Sequence, residues 1–198
     1  MEHRNVGERG LLLVFESTGE AIAAFRELDS RRHELDLAEV VPGHTTLLLE
    51  GHRWRPAPNS LRGDPACAGT ASSREISVPV TYGGPDLPSV AAAAGVSVEE
   101  VVRRHWQPTY TVAFLGFAPG QPYLVGGDPS IAVARRRDPR TRVPAGSVAT
   151  AGEYSTIYPC ATPGGWQLIG ATEMVMFDVT AATPARLCAG DRVRFVEP

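Results

Sequence analysis

Apolar residues in this 198-residue chain come in short bursts, not long stripes, and the first burst opens a compact unit. Residues 10–17 (GLLLVFES) read as a strand, and Ser17 followed by Glu20 has the spacing of a capping box that starts a helix. In that helix Ala21, Ile22, Phe25 and Leu28 share one face, while Arg26, Glu27, Arg31 and Arg32 fall elsewhere. Residues 36–51 add two strand-like runs around the turn pair Pro42-Gly43. A β-α-β unit this small needs a second helix or a neighbouring domain to cover its sheet. Residues 53–74 are rich in Pro, Gly, Ala and Ser and show no period, so they read as a linker.

Alternation resumes in EISVPVTYGG (75–84). Residues 86–106 then predict two short helices split at Gly95, the second opened by a Ser97/Glu100 capping box. The pair superficially resembles a DNA-binding helix-turn-helix, but Glu99 and Glu100 would meet phosphates where basic residues are needed. From residue 108 onward short strands recur about every ten residues: TYTVAFLGF, SIAVARRR, GSVATAG, STIYPCATPGGWQLIG, EMVMFDVT and DRVRFVEP. That rhythm predicts a closed or nearly closed antiparallel barrel. The expected organisation is an α+β domain at 1–52, a linker at 53–74 and a mainly-β domain at 75–198.

Composition narrows the chemistry. A formal net charge of −3 argues against nucleic acid as a partner. No apolar run reaches membrane-spanning length, and MEHRNVGERG has no signal-peptide pattern, so the expectation is a cytoplasmic protein away from membranes. All 19 basic residues are arginine, which excludes a Walker-A, Schiff-base or biotinyl lysine within this chain. If ATP is used, another polypeptide is expected to hold it. Cys67, Cys160 and Cys188 are widely spaced and read as buried structural thiols, and the five histidines lack metal-ligand spacing. No metal is expected. His105 has nothing near it in sequence to recommend it as a base.

Three stretches could carry chemistry. GFAPGQPYL (116–124) forms a tight loop whose N–H groups could converge on an anion, with Gly116, Phe117, Pro119, Gly120, Gln121 and Tyr123 as candidate ligand contacts. RRRDPRTRVPAGSV (135–148) places five arginines in eight positions. Arg140 and Arg142 share one face if extended, as guanidinium forks for a carboxylate or phosphate, and Arg136 could join them. Arg135, Arg136 and Arg137 otherwise read as a solvated loop. Ser147 closes this stretch as a further contact, outside any nucleophile-elbow pattern. YPCATPGGWQLIG (158–170) offers Tyr158, Trp166 and Gln167 as pocket lining. The alternative for each stretch is an ordinary barrel turn, charged loop or core aromatic.

Taken together, VGERGLLLVF, VVPGHTTLLLEG, VPVTYGGPDLPSVAAAAGVSVEEVVRRH, FLGFAPGQPYL, DPRTRVPAGSV, PGGWQLIG and AGDRVRF resemble one family. It is the group of bacterial 5-oxoprolinase B-type subunits, also labelled allophanate hydrolase subunit 1, which includes the Kip-type sporulation-kinase inhibitor. The resemblance implies a ferredoxin-like α+β domain and a cyclophilin-like barrel. It implies a subunit-C-like partner chain, the two together resembling a carboxyltransferase-type domain such as that of urea carboxylase. It further implies a third, ATP-using subunit, with ATP consumed by the complex and no cofactor held by this chain. The implied reaction opens 5-oxoproline to glutamate, with Arg140 and Arg142 on the carboxylate or the developing negative charge. Histidine-kinase inhibition and an allophanate hydrolase or urea carboxylase-like role are the alternatives. Two departures stand out: Gln121 replaces an aromatic residue of the family's GF-x-PGFPYL, and AGEYSTIYP (151–159) replaces AGGQTGIYP.

Overall fold

The computed structural model describes residues 2–52 and 74–197; the residues read as linker lie outside them except for Arg74. The chain divides into two compact units, 1–73 and 74–198.

In the first unit, β1 (Glu2–Val6), β2 (Gly10–Val14), β3 (Leu37–Pro42) and β4 (Thr46–Gly51) form an antiparallel sheet in the order β1-β2-β4-β3. Helix α1 (Thr18–Ser30) is capped as expected, the Ser17 hydroxyl accepting from the Glu20 N–H. Ala21, Ile22 and Leu28 are its buried residues, and Leu28 packs with Leu11, Leu13, Leu47 and Leu49. Strand β1 was not legible in the sequence. All five of its residues are exposed, so it has no apolar alternation, and only its pairing with β2 makes it a strand.

The second unit is an eight-stranded sheet. Its order is β5 (Glu75–Pro79), β14 (Arg192–Val196), β7 (Thr109–Leu115), β8 (Pro122–Val125), β11 (Tyr154–Ile157), β10 (Ser147–Ala151), β13 (Gln167–Ala171), β6 (Thr81–Tyr82). The two edge strands, β5 and β6, are separated along the chain by Val80 alone, so the sheet curls into a nearly closed barrel. Its pairs are antiparallel except β5 with β14. Helices α2 (Leu87–Ala94) and α3 (Val98–Trp106) meet at left-handed Gly95, and the Ser97 hydroxyl caps α3.

Barrel strands alternate between two cores. Val148, Ile157 and Ile169 enter the main core with Val112, Leu124, Val193 and Phe195. Their neighbours Ala149, Tyr158 and Leu168 turn to the other side and join Val143, Ala151 and Trp166. A two-stranded ribbon of β9 (Arg140–Val143) and β12 (Thr162–Gly164) contributes Val143 to this second core. Burial on both faces explains why β10 reads SVATA, with no charged residue.

Two expected strands are absent. After a short 3-10 turn (Pro129–Ile131) capped by Asp128, residues 132–137 are irregular, although Ile131 and Val133 both reach the core. Residues 173–180 form only a bridge between Phe177 and Ala185. Met176 is buried there while Val175 and Val179 are exposed, so the alternation is genuine and the ladder partner is missing. The Gly/Pro-rich stretch at 118–129 conceals β8. Cys160 and Cys188 are exposed, against the expectation of buried thiols.

Candidate functional site

The residues singled out from sequence divide between two concavities of the second unit. Arg140, Arg142 and Ser147 line a groove of about 500 Å³ together with Tyr82, Gly84 and Gly170. Phe117, Gln121, Tyr123, Tyr158 and Trp166 line a smaller pocket of about 230 Å³, joined by Arg135. Strand β9 begins at the boundary, with Pro139 on the pocket and Arg140 on the groove. Gly116, Pro119, Gly120 and Gln167 line neither.

Asp86, 2% exposed, organises the groove. Arg140 donates to both of its carboxylate oxygens at 2.8 and 2.7 Å, Arg136 donates at 2.7 Å, and the Leu168 N–H donates at 2.7 Å. Burial pushes the carboxyl up, but the hydrogen bonds from Arg140 and Leu168 and the nearby guanidinium charges bring it below the ordinary aspartate value. Arg136 is therefore no solvated loop residue, and the Arg140 fork already holds an internal carboxylate. Arg142, two residues on, is exposed on the same groove, and no carboxylate among the described residues pairs with it. Gly84 permits the close approach that seats Asp86: a Cβ there would lie 2.4 Å from the Leu168 carbonyl oxygen.

The pocket is built differently. The loop between β7 and β8 closes on itself, with the N–H groups of Gly116, Ala118 and Gln121 donating to the carbonyls of Gln121, Gly116 and Ala118. The residues of this loop that line the pocket are Phe117 and Gln121. Phe117 is 69% exposed at a φ of +71°, a region that bulky residues rarely occupy. Gly120, at φ +76°, makes the turn where a Cβ would strike Phe177. Gln121 is 1% exposed, and its Oε1 has no hydrogen-bond partner among the described residues. Tyr123 stacks on Phe114 and meets Trp166 edge-on at 5.6 Å, and the Arg135 guanidinium carbon lies 5.5 Å from the Trp166 ring centroid. Gln167 is not part of the pocket lining; its side-chain amide donates to the Ala134 carbonyl at 3.1 Å, anchoring the segment that carries Arg135.

The family model for the carboxyltransferase domain, subdomain C and D, matches residues 1–187. The chain belongs to this carboxyltransferase-domain family. A curated relative, the B-type subunit of 5-oxoprolinase from Escherichia coli O157:H7, is 50% identical over 127 residues. The match covers 63% of this chain and 58% of that relative, so the chain spans little more than half its length. The resemblance read from sequence is borne out. A solved conserved uncharacterized protein from Pyrococcus horikoshii is 31% identical with a TM-score of 0.61, covering 100% of this chain and 97% of that one. The solved urea carboxylase of Kluyveromyces lactis is 18% identical with a TM-score of 0.68, covering 99% of this chain and 21% of that one, and shares the fold. No helix among the described residues of this carboxyltransferase-family chain is long and apolar enough to cross a membrane.

Sequence reading missed two groups. Asp86 stands directly before a Leu-Pro helix start and looks like an ordinary N-cap, yet its side chain makes no cap bond and serves the arginines instead. His105, 1% exposed, touches hydroxyls with both ring nitrogens: Nδ1 lies 2.8 Å from Tyr82 Oη and Nε2 lies 3.0 Å from Ser155 Oγ. Its ring stacks on Phe195 at 4.5 Å. Burial pushes its pKa down to about 3, so the imidazole is neutral at physiological pH. Its partners lie 23 and 50 residues away in sequence, which left no local signal.

Proposed function

We propose that this chain is the B-type subunit of a cytoplasmic, ATP-dependent 5-oxoprolinase. It pairs with a subunit-C-like chain and acts with a third, ATP-using subunit. The observation that carries this reading is the 50% identity over 127 residues to a B-type 5-oxoprolinase subunit. The absence of lysine in the chain is consistent with ATP being held elsewhere.

The geometry suits the chemistry. Hydrolysis adds water across the ring C–N bond to give a carboxylate and an amine, and amide resonance resists it. Transfer of the γ-phosphoryl group of ATP to the amide oxygen, releasing ADP, weakens that resonance and places anionic charge on the substrate; water then adds to the carbon, the C–N bond breaks and phosphate leaves. A guanidinium that is already positioned stabilises such charge at little reorganisation cost. Arg142 is the groove arginine not engaged by Asp86, and Arg140 acts as a positioning residue that fixes β9 through Asp86. The experiment is reconstitution with the neighbouring subunits of its own genome, following ATP-dependent glutamate release from 5-oxoproline with each subunit omitted in turn. Release that requires this chain is the expected result. Undiminished release without it overturns the reading.

A further inference from the structure

We infer that the face carrying Phe117, Arg135 and Arg137 is a protein-docking surface, and that its occupant is the subunit-C-like chain, presenting carboxylates around an apolar recess. The inference rests on the function proposed above and deepens it by saying where the partner binds and with what chemistry.

Arginines in this chain are mostly paired with carboxylates: Arg9 with Glu50, Arg31 with Glu34, Arg74 with Asp191, Arg103 with Glu100. Arg135 and Arg137 differ. Both are exposed, and no carboxylate among the described residues pairs with either. Their backbone is nonetheless fixed. The Arg136 N–H donates to the Gly165 carbonyl at 2.7 Å, the Gln167 amide holds the Ala134 carbonyl, and the Arg136 guanidinium is tied to Asp86. Arg135 is further held near the Trp166 ring. Two unpaired cations on a pinned backbone lose little freedom when an anionic surface meets them.

Phe117 supplies the apolar part. It lines the same concavity as Arg135, together with Pro139, Pro163 and Trp166. It is 69% exposed at a φ of +71°, on a loop whose backbone is closed on itself. An exposed ring on strained backbone stabilises the isolated chain little, and such strain clusters at functional sites. Aromatic rings and arginines are enriched where proteins bind one another, and they carry much of the binding energy. A free small anion would leave the ring in water. Nucleic acid is disfavoured by the net charge of −3 and by Asp138, which directly follows Arg137. A protein surface with carboxylates beside an apolar recess uses all three side chains. Strand β9 starts next to this face, so a partner seated here lies beside the groove that holds Arg142.

The test measures by calorimetry the affinity of the full chain for the subunit-C-like chain of the same genome, with urea unfolding of each variant alongside. Arg135→Glu and Arg137→Glu are each expected to weaken the complex about tenfold, and Phe117→Asn about tenfold with no loss of stability. Raising the salt from about 0.05 to about 0.5 M is expected to weaken the wild-type complex several-fold, and to weaken that of the Arg135→Glu, Arg137→Glu double variant less. Affinity within about twofold of wild type in all three single variants overturns the surface, and so does a wild-type chain that forms no complex. A complex that tolerates the variants and still releases glutamate overturns the surface and leaves the proposed function standing. A wild-type complex that the variants weaken, but that releases no glutamate with the third subunit, upholds the surface and overturns the proposed function.

Discussion

The Asp86 cluster and the Gln121 pocket lie on either side of the start of β9, and they treat polar groups in opposite ways. Asp86 is buried with four donors on its two oxygens, so its charge is compensated inside the protein. Gln121 is equally buried, and its carbonyl has no partner among the described residues. The arginines divide the same way: Arg136 and Arg140 are engaged by Asp86, while Arg135 and Arg142 have no carboxylate partner among the described residues. Closure serves architecture, because a compensated charge fixes β9 against Leu168.

The contrast can be broken most severely by acid. His105 belongs with the closed groups, held neutral between Tyr82 and Ser155. Below pH 6.5 the unfolded chain takes up the imidazole proton, while the folded chain resists until about pH 3. Stability of the second unit should therefore fall through that window at roughly 1.4 kcal/mol per pH unit, on the order of 5 kcal/mol in all. Urea titrations at several pH values measure the slope, and His105→Gln should flatten it. A wild-type profile that is flat from pH 6.5 to pH 4 would contradict the closed state of this residue. The lowered Asp86 carboxyl adds a further loss below about pH 4, as its folded-state advantage is titrated away.

The next effect in size is removal of the shared carboxylate. Asp86→Ala leaves two guanidiniums and the Leu168 N–H without their partner and should cost about 3 kcal/mol in urea unfolding. A loss under ~1 kcal/mol would mean that solvent replaces Asp86 readily and that the cluster is not closed. Arg142→Ala sharpens the comparison from the open side. It should lower turnover of the reconstituted complex at least about tenfold, some 1.4 kcal/mol in the barrier, with stability within ~0.5 kcal/mol of wild type. Unchanged turnover would remove Arg142 from the chemistry. The smallest effect is expected at Phe117. Asparagine tolerates the left-handed backbone better than phenylalanine, so Phe117→Asn should stabilise the protein by ~0.5–1 kcal/mol in urea unfolding. A less stable variant would show that packing of the Phe117 ring outweighs the backbone strain.

Much of the architecture was legible because it is written in local pattern. The Ser17/Glu20 and Ser97/Glu100 spacings mark the two helix starts that the structure caps, and Gly95 marks the break between α2 and α3. The ten-residue rhythm of strands after residue 108 led correctly to a nearly closed sheet. The errors have one cause, since a strand is defined by its partner as much as by its own residues. Residues 173–180 alternate but have no ladder, and residues 2–6 do not alternate but have one.

By itself the sequence determined the helices and many of the strands, the carboxyltransferase-domain family and the inventory of groups available for chemistry: arginines without lysine, and an aromatic, Gly/Pro-looped barrel half. Only the tertiary structure decided which of those groups are occupied. Asp86 meets Arg136 and Arg140 across 50 and 54 residues, and His105 meets Ser155 across 50. Burial and pairing are properties of such long-range meetings. Five neighbouring arginines look alike in the chain and become different only when the fold supplies, or withholds, a carboxylate for each.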